Sequence, residues 1–90
     1  MDDVRKRYNF KGRVQGVGFR YTAKQLANSM GLTGWVQNEY DGTVTIEIQG
    51  RETLINKVLV GLNNNMFITI DWIDSEEIPL QEEKAFVYRH

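Results

Sequence analysis

A nine-residue stretch near the N-terminus, residues 12–20, has the sequence GRVQGVGFR. Before it, apolar and polar side chains alternate, which is typical of a strand with one buried face. After it, apolar side chains recur at intervals of three and four residues, which is typical of an amphipathic helix. The stretch therefore predicts a strand that passes through a glycine-rich turn, residues 15–18, into a helix that begins at Phe19.

The rest of the chain continues with a hairpin, a second helix and further strands. Asp41 and Gly42 both tolerate the positive φ of a tight hairpin turn, so they are expected to join the second and third strands. The predicted elements are a strand over residues 7–14, a helix from residue 19 that Gly31 ends, strands over 33–40 and 43–49, a helix over 51–63, and strands over 67–73 and 84–88. This order predicts an α+β fold: a ferredoxin-like βαββαβ sandwich, with two helices on one face of an antiparallel sheet, plus a short C-terminal strand.

Size and composition restrict the class of protein. With 90 residues the chain has room for one domain, which we expect to span residues 1–90. The net charge of −1 gives no general attraction to nucleic acid or to an anionic membrane. The absence of cysteine excludes disulfides, thiolate nucleophiles and cysteine-based zinc sites. We therefore expect a cytoplasmic monomer that binds neither nucleic acid nor membrane.

The glycine-rich turn is a candidate anion site. Gly16 and Gly18 adopt conformations barred to other residues and leave no side chain to obstruct a ligand. Backbone N–H groups of residues 15–20, the positive end of the helix and the charge of Arg20 would then meet at one place. The alternative is an ordinary tight turn in which Arg20 is a solvated helix residue. Arg13 shares the polar strand face and is expected to be solvated.

A second candidate is Asn38, close to the end of the predicted second strand. Its amide can hold a water molecule by donating one hydrogen bond and accepting another. The alternative is a polar residue that simply begins the hairpin turn, which asparagine favours. The neighbouring Trp35 is expected to pack rather than to react.

Taken together, these segments resemble an acylphosphatase. The resemblance rests on four segments: GRVQGVGFR at residues 12–20, GLTGWVQN at 31–38, DGTV at 41–44 and FVYR at 86–89. The first two segments carry most of it, because together they are specific to that family. The resemblance implies hydrolysis of the carboxyl–phosphate bond of a small acyl phosphate, which yields a carboxylate and inorganic phosphate.

The resemblance also implies a role for each site residue. Arg20 would bind the phosphate and Asn38 would orient the attacking water. The backbone of the turn would complete the phosphate site with Gln15, Gly16, Val17, Gly18, Phe19 and Arg20. Because a carboxylate leaves without protonation, the reaction needs no general acid, and we expect no cofactor and no metal. The chain has no cysteine, and its one histidine is His90.

The chain also departs from the family pattern. Members often carry Gly-Pro between the second helix and the fourth strand, where this chain has NNNM at residues 63–66. Some members place Thr or Ser beside the catalytic asparagine, where Glu39 stands, or early in the first helix, where Thr22 is a candidate helper. These departures bear on substrate range and rate.

Two other functions are compatible with the same order of elements. An RNA-recognition module shares the βαββαβ order, but it carries its glycines and aromatic residues on a central strand and is usually basic. A non-catalytic domain of the acylphosphatase fold, which binds phosphate or acyl phosphate for regulation, is the closer alternative. Turnover by the purified protein distinguishes this alternative from an enzyme.

Overall fold

Residues 2–90, which the computed structural model describes, form five strands and two helices in the predicted order. They are β1 (Val4–Arg13), α1 (Phe19–Ser29), β2 (Thr33–Asn38), β3 (Val44–Gly50), α2 (Glu52–Asn63), β4 (Thr69–Ile78) and β5 (Phe86–Tyr88). The ferredoxin-like βαββαβ prediction, with a short C-terminal strand, is confirmed. Within the same residues, neither helix is long and apolar enough to cross a membrane.

All the strands belong to one sheet, in the order β4-β1-β3-β2-β5. The pairs β1–β3, β1–β4 and β2–β3 are antiparallel, as predicted. The added strand β5 is parallel to β2, with Gly34 opposite Phe86 and Val36 opposite Tyr88. The alternation of side chains shows that a segment is a strand but carries no information about its direction, so the parallel edge was not predicted.

The core lies between one face of the sheet and the two helices of the described chain. Alternate strand residues are buried on this face: Tyr8, Phe10, Val36, Val44, Ile46 and Ile48. The helices bury Phe19, Ala23 and Ala27 from α1, and Ile55, Val58 and Leu62 from α2. Each large apolar side chain that is fully buried contributes about 1.5–3 kcal/mol, so this face accounts for much of the stability.

Two strands are longer than predicted. β1 begins at Val4 rather than at residue 7, because Val4 pairs with Gly50 of β3. Arg5 in this extension is fully buried, and its Nη2 lies 2.9 Å from Oε1 of Glu47. Burial by itself would lower the pKa of Arg5, but hydrogen bonds with Glu83 and Glu47 hold it above its usual value. β4 continues to Ile78, because it pairs with β1 as far as Arg5. Hydrophobic alternation identifies neither extension, since both are rich in charged residues.

The strand directions determine which strand ends meet at the edge of the sheet that carries the candidate site, called here the functional edge. Because β1, β2 and β5 are mutually parallel, their C-terminal ends lie at the same edge as the N-terminal ends of β3 and β4. The hairpin at this edge differs from the prediction. Gly42 has φ 89°, but no other residue of the turn has positive φ, and the N–H of Gly42 donates to the carbonyl of Glu39 at 3.2 Å. The turn is therefore centred one residue earlier, on Tyr40 and Asp41.

Candidate active site

The glycine-rich turn connects β1 to α1 at this edge. Gly18 is the N-cap of α1 and has φ 81° and ψ 15°, in the left-handed region. Gly16 has φ 73°. A Cβ added to either glycine would meet no atom within 4 Å, so backbone conformation rather than crowding requires glycine here.

The N-terminus of α1 is open. Its first backbone hydrogen bond runs from Thr22 N to Gly18 O at 3.0 Å, so the N–H groups of residues 19–21 have no acceptor within the helix. No side chain caps this end, and the first turn contains no acidic residue. Helices usually satisfy these N–H groups with a Ser, Thr, Asp or Asn side chain. This end of α1 is therefore available to an external anion.

A pocket of about 310 Å³ lies against the helix end. Among the described residues, it is lined by Val14, Gly16, Gly18, Phe19, Arg20, Tyr21, Asn38, Tyr88 and His90, none of which is acidic. Arg20 is partly buried, and no carboxylate among the described residues lies within ion-pair distance of it. The guanidinium, the helix end and the bare turn thus give the pocket a positive potential.

Asn38 lies in the same pocket, at the end of β2. Within residues 2–90, its Oδ1 is the only buried side-chain polar atom without a hydrogen-bond partner. An unsatisfied buried oxygen costs about 1–3 kcal/mol, so it is rarely retained without a ligand or a water molecule. The oxygen is a hydrogen-bond acceptor in the same pocket as Arg20 and the uncapped end of α1.

The side chain of Gln15 joins the turn to the β2–β3 hairpin. Its Nε2 donates to the backbone carbonyls of Glu39 at 2.8 Å and Thr43 at 2.9 Å. The hairpin is itself closed by Glu39 N donating to Thr43 O at 2.8 Å and by Asp41, whose carboxylate accepts from the backbone N–H and hydroxyl of Thr43. These two hydrogen bonds lower the pKa of Asp41. Gln15 therefore ties the turn to the hairpin that directly follows Asn38.

Gln15→Ala should separate these two parts without removing a group that contacts substrate. Two hydrogen bonds are lost, and we expect kcat for the acyl phosphate hydrolysis that the resemblance implies to fall about 10-fold, since misplacement of a reacting group by about 1 Å can cost up to 10²-fold. Gln15→Glu replaces the donating Nε2 by a carboxylate oxygen that faces two carbonyl oxygens, so its kcat should fall at least as much as that of Gln15→Ala. Wild-type kcat in both variants would show that the bridge does not position the site.

The structure brings most of the predicted site residues together. Gly16, Gly18, Arg20 and Asn38 line the pocket, and Phe19 contributes its backbone because its ring is buried in the core. Gln15 and Val17 lie in the turn but not in the pocket lining: Gln15 faces the hairpin, and Val17 faces a neighbouring groove. Arg13 is exposed at the end of β1, as expected.

The C-terminal strand adds residues that sequence reasoning missed. Tyr88 lies beside the guanidinium of Arg20, with its ring centroid 5.9 Å from Cζ, and 4.5 Å from Nζ of Lys24. His90 and Tyr21 complete the wall. The place of Tyr88 and His90 follows from the parallel pairing of β5 with β2, for which the sequence carries no local signal, whereas Tyr21 follows Arg20 in α1. Among residues 2–90, the structure contains no group of three or more His, Cys, Asp or Glu side chains placed to hold a metal.

Comparison with known proteins agrees with this geometry. A sequence profile described as Acylphosphatase matches residues 6–88, which include both the turn and Asn38. The chain belongs to the acylphosphatase family. It is 46% identical over 85 residues to an acylphosphatase of Clostridium acetobutylicum, with 90% of this chain and 93% of the relative covered. An acylphosphatase of Ligilactobacillus salivarius is 44% identical over 77 residues, with 83% of this chain and 86% of the relative covered.

The solved structures of family members have the same fold. The crystal structure of acylphosphatase from Bacillus subtilis superimposes with a TM-score of 0.89 at 32% identity, and the match covers 97% of this chain and 99% of that one. The match extends over nearly the whole of both chains, so the two proteins share the entire fold and not only a fragment of it.

Proposed function

We propose that this chain hydrolyses acyl phosphates to a carboxylate and inorganic phosphate, without a metal ion. The observation that carries the proposal is the unpartnered, buried Oδ1 of Asn38, which shares a pocket with Arg20 and the uncapped end of α1. The pocket therefore contains a hydrogen-bond acceptor for water, Oδ1 of Asn38, and hydrogen-bond donors for a phosphoryl group, on Arg20 and the end of α1. Membership of the acylphosphatase family supports the same activity.

The turn and Arg20 would hold the phosphoryl group. In phosphoryl transfer, negative charge is spread over the three equatorial oxygens, and catalysis consists mainly of stabilising that charge and aligning the reactants. The helix fixes the free N–H groups at residues 19–21 before substrate arrives, and Arg20 adds a fork of donors in the same pocket. Such prearranged donors stabilise the transition state without reorganisation. The backbone of residues 15–20 is the proposed phosphate site.

Asn38 would hold the attacking water. Its Oδ1 accepts a hydrogen bond from the water, and this leaves a lone pair of the water oxygen free to attack phosphorus. The P–O bond to the carboxylate breaks, and the protons of the water remain with the inorganic phosphate that forms. The contribution is chiefly entropic, because a positioned water replaces a random encounter. The reaction needs no general base to deprotonate the attacking water, because the scissile carboxyl–phosphate bond is an activated anhydride.

The chemistry of the leaving group explains why the proposed reaction needs no general acid. A carboxylate is stable as an anion at neutral pH, so it departs without a proton from a general acid. The charge that develops on the phosphoryl oxygens faces Arg20 and the helix end. These groups supply the electrostatic role that a divalent cation fills in other phosphoryl-transfer sites.

The proposal is tested by hydrolysis of benzoyl phosphate, followed by ultraviolet absorbance in the presence of EDTA. We expect turnover that EDTA does not reduce and that inorganic phosphate inhibits competitively. Turnover abolished by EDTA and restored by a divalent cation would contradict the metal-free reaction. If nothing turns over while inorganic phosphate still raises the melting temperature, the chain is a phosphate-binding domain and not an enzyme.

Two further parts of the proposal concern the setting. We propose that the chain acts as a monomer on a small molecule, since one chain supplies the uncapped helix end, Arg20 and Asn38 to a pocket of about 310 Å³. We also propose a cytoplasmic location, which a composition without cysteine suits, since it needs no oxidising compartment.

A further inference from the structure

One row of side chains on α1 faces the short C-terminal strand. Arg20, Lys24 and Asn28 follow one another at intervals of four residues, so they lie along one side of the helix, about 6 Å apart along its axis. On β5, Phe86 and Tyr88 direct their side chains to the same face of the sheet, about 6.6 Å apart. The two spacings nearly match, so successive side chains of the row lie opposite successive side chains of β5.

The contacts between the two elements follow this match. Toward the C-terminal end of α1, the side chain of Asn28 binds the backbone of Phe86: its Nδ2 donates to the carbonyl at 3.1 Å, and its Oδ1 accepts from the N–H at 3.0 Å. One step nearer the functional edge, Nζ of Lys24 lies 4.5 Å from the ring centroid of Tyr88. The same centroid lies 5.9 Å from Cζ of Arg20, so the row of contacts ends at the phosphate pocket.

Asn28 occupies the open edge of β5. On its inner side, β5 is joined to β2 through the carbonyl of Ala85, which accepts a hydrogen bond, and the N–H of Arg89, which donates one. Because backbone groups alternate in direction along a strand, Phe86 directs its N–H and its carbonyl away from β2. The amide of Asn28 binds both groups and so takes the place that a further strand would have.

We propose that Asn28 is a positioning residue of the active site, which holds β5 so that Tyr88 limits the movement of Arg20. This inference rests on the proposed function and adds to it a residue outside the pocket lining. No carboxylate in the described part of the chain lies within ion-pair distance of Arg20, so its guanidinium is not fixed by an ion pair of that kind. The ring of Tyr88, which also contacts Lys24, flanks the guanidinium instead.

Without this contact β5 would be loosely held. The strand has three residues, of which Phe86 is buried and Tyr88 is 37% exposed. It lies at the edge of the sheet, where β2 is its one neighbour among the described strands. The chain before β5 has its own anchor, because Glu83 pairs with the buried Arg5. Loss of the Asn28 contact should therefore loosen β5 and leave the rest of the fold in place.

The test is Asn28→Ala, assayed with benzoyl phosphate well below the melting temperature. Because both hydrogen bonds to β5 are lost, we expect kcat/KM to fall about 10-fold, since misplacement of a reacting group by about 1 Å can cost up to 10²-fold. The inhibition constant of inorganic phosphate should rise, because Arg20 also binds the ground-state anion. The matched control is Ser29→Ala, which removes a hydroxyl that donates to the carbonyl of Leu26 within α1 and should leave both constants unchanged.

A double-mutant cycle tests the route through Tyr88. If Asn28 acts through this ring, Tyr88→Ala should cost a similar factor, and Asn28→Ala should cost little more in the Tyr88→Ala background. Equal fold-losses in the two backgrounds, or wild-type constants in Asn28→Ala alone, would overturn the inference. Asn28→Asp keeps the size of the side chain but sets a carboxylate oxygen against the carbonyl of Phe86, so it should be impaired too. It takes the place of Asn28→Ala in the cycle if that protein does not fold.

Binding of inorganic phosphate separates this inference from the proposed function, because calorimetry measures it without turnover. If the wild-type protein hydrolyses no benzoyl phosphate, the proposed function fails. Weaker phosphate binding in Asn28→Ala, with no further weakening in the Tyr88→Ala background, would still support the positioning role. Phosphate binding as tight in Asn28→Ala as in the wild type would overturn that role whether or not the chain is an enzyme.

Discussion

Replacing Arg20 by alanine is expected to lower kcat for benzoyl phosphate at least about 10²–10³-fold, the loss that follows removal of one prearranged donor to a developing negative charge. Arg20 has no carboxylate partner among the described residues, so its charge is directed at the pocket rather than neutralised within the protein. Affinity for inorganic phosphate should fall as well, because the guanidinium binds the ground-state anion too.

A matched variant separates the site from general charge. Arg51→Ala removes the same side chain from an exposed position at the start of α2 and should retain wild-type kcat. Arg20→Lys keeps the charge but loses the two-pronged contact, so it should recover only part of the activity. Near-normal turnover in a folded Arg20→Ala protein would exclude Arg20 from the phosphate site.

Asn38→Ala is expected to give a different combination of effects. Loss of the water acceptor should lower kcat about 10²-fold, while the inhibition constant of inorganic phosphate stays close to that of the wild type. The melting temperature should change little, because Oδ1 of Asn38 makes no hydrogen bond to another group of the described residues that the substitution would remove. Lower activity with unchanged or higher stability is typical of a residue kept for function.

The control for this variant is Asn56→Ala, which removes the same side chain from an exposed position of α2. It should change neither kcat nor phosphate inhibition. If Asn38→Ala abolished inhibition by inorganic phosphate and lowered kcat by no more than it lowered phosphate affinity, Asn38 would belong to the phosphate site. The water would then have to be held elsewhere. A large fall in melting temperature would indicate a structural role instead.

Local patterns in the sequence were sufficient for the elements that form the core. Alternation identified β1, and the spacing of Phe19, Ala23 and Ala27 identified the buried face of α1, because both periods follow from backbone geometry alone. The positive φ of Gly16 and Gly18 followed from their place between a strand and a helix. The roles of Arg20 and Asn38, by contrast, came from the resemblance to acylphosphatases, because the local pattern left an ordinary turn and a polar strand-end residue open.

Features that depend on distant residues were not predictable in this way. Arg5 precedes the strand predicted over residues 7–14, yet it is buried, and Glu47 and Glu83 come from other parts of the chain to meet it. The side-chain bridge from Gln15 to the hairpin and the position of Tyr88 beside Arg20 depend on the finished sheet in the same way.

The strand order also bears on how activity returns when the unfolded chain refolds. The parts of the site come from the turn after β1, the end of β2 and the segment at β5, so no local stretch contains it. Chains whose contacts join distant residues have high contact order and fold slowly for their size. The site can therefore form only after β1 has paired with β3 and β3 with β2. Recovered turnover thus marks closure of the sheet rather than formation of the helices.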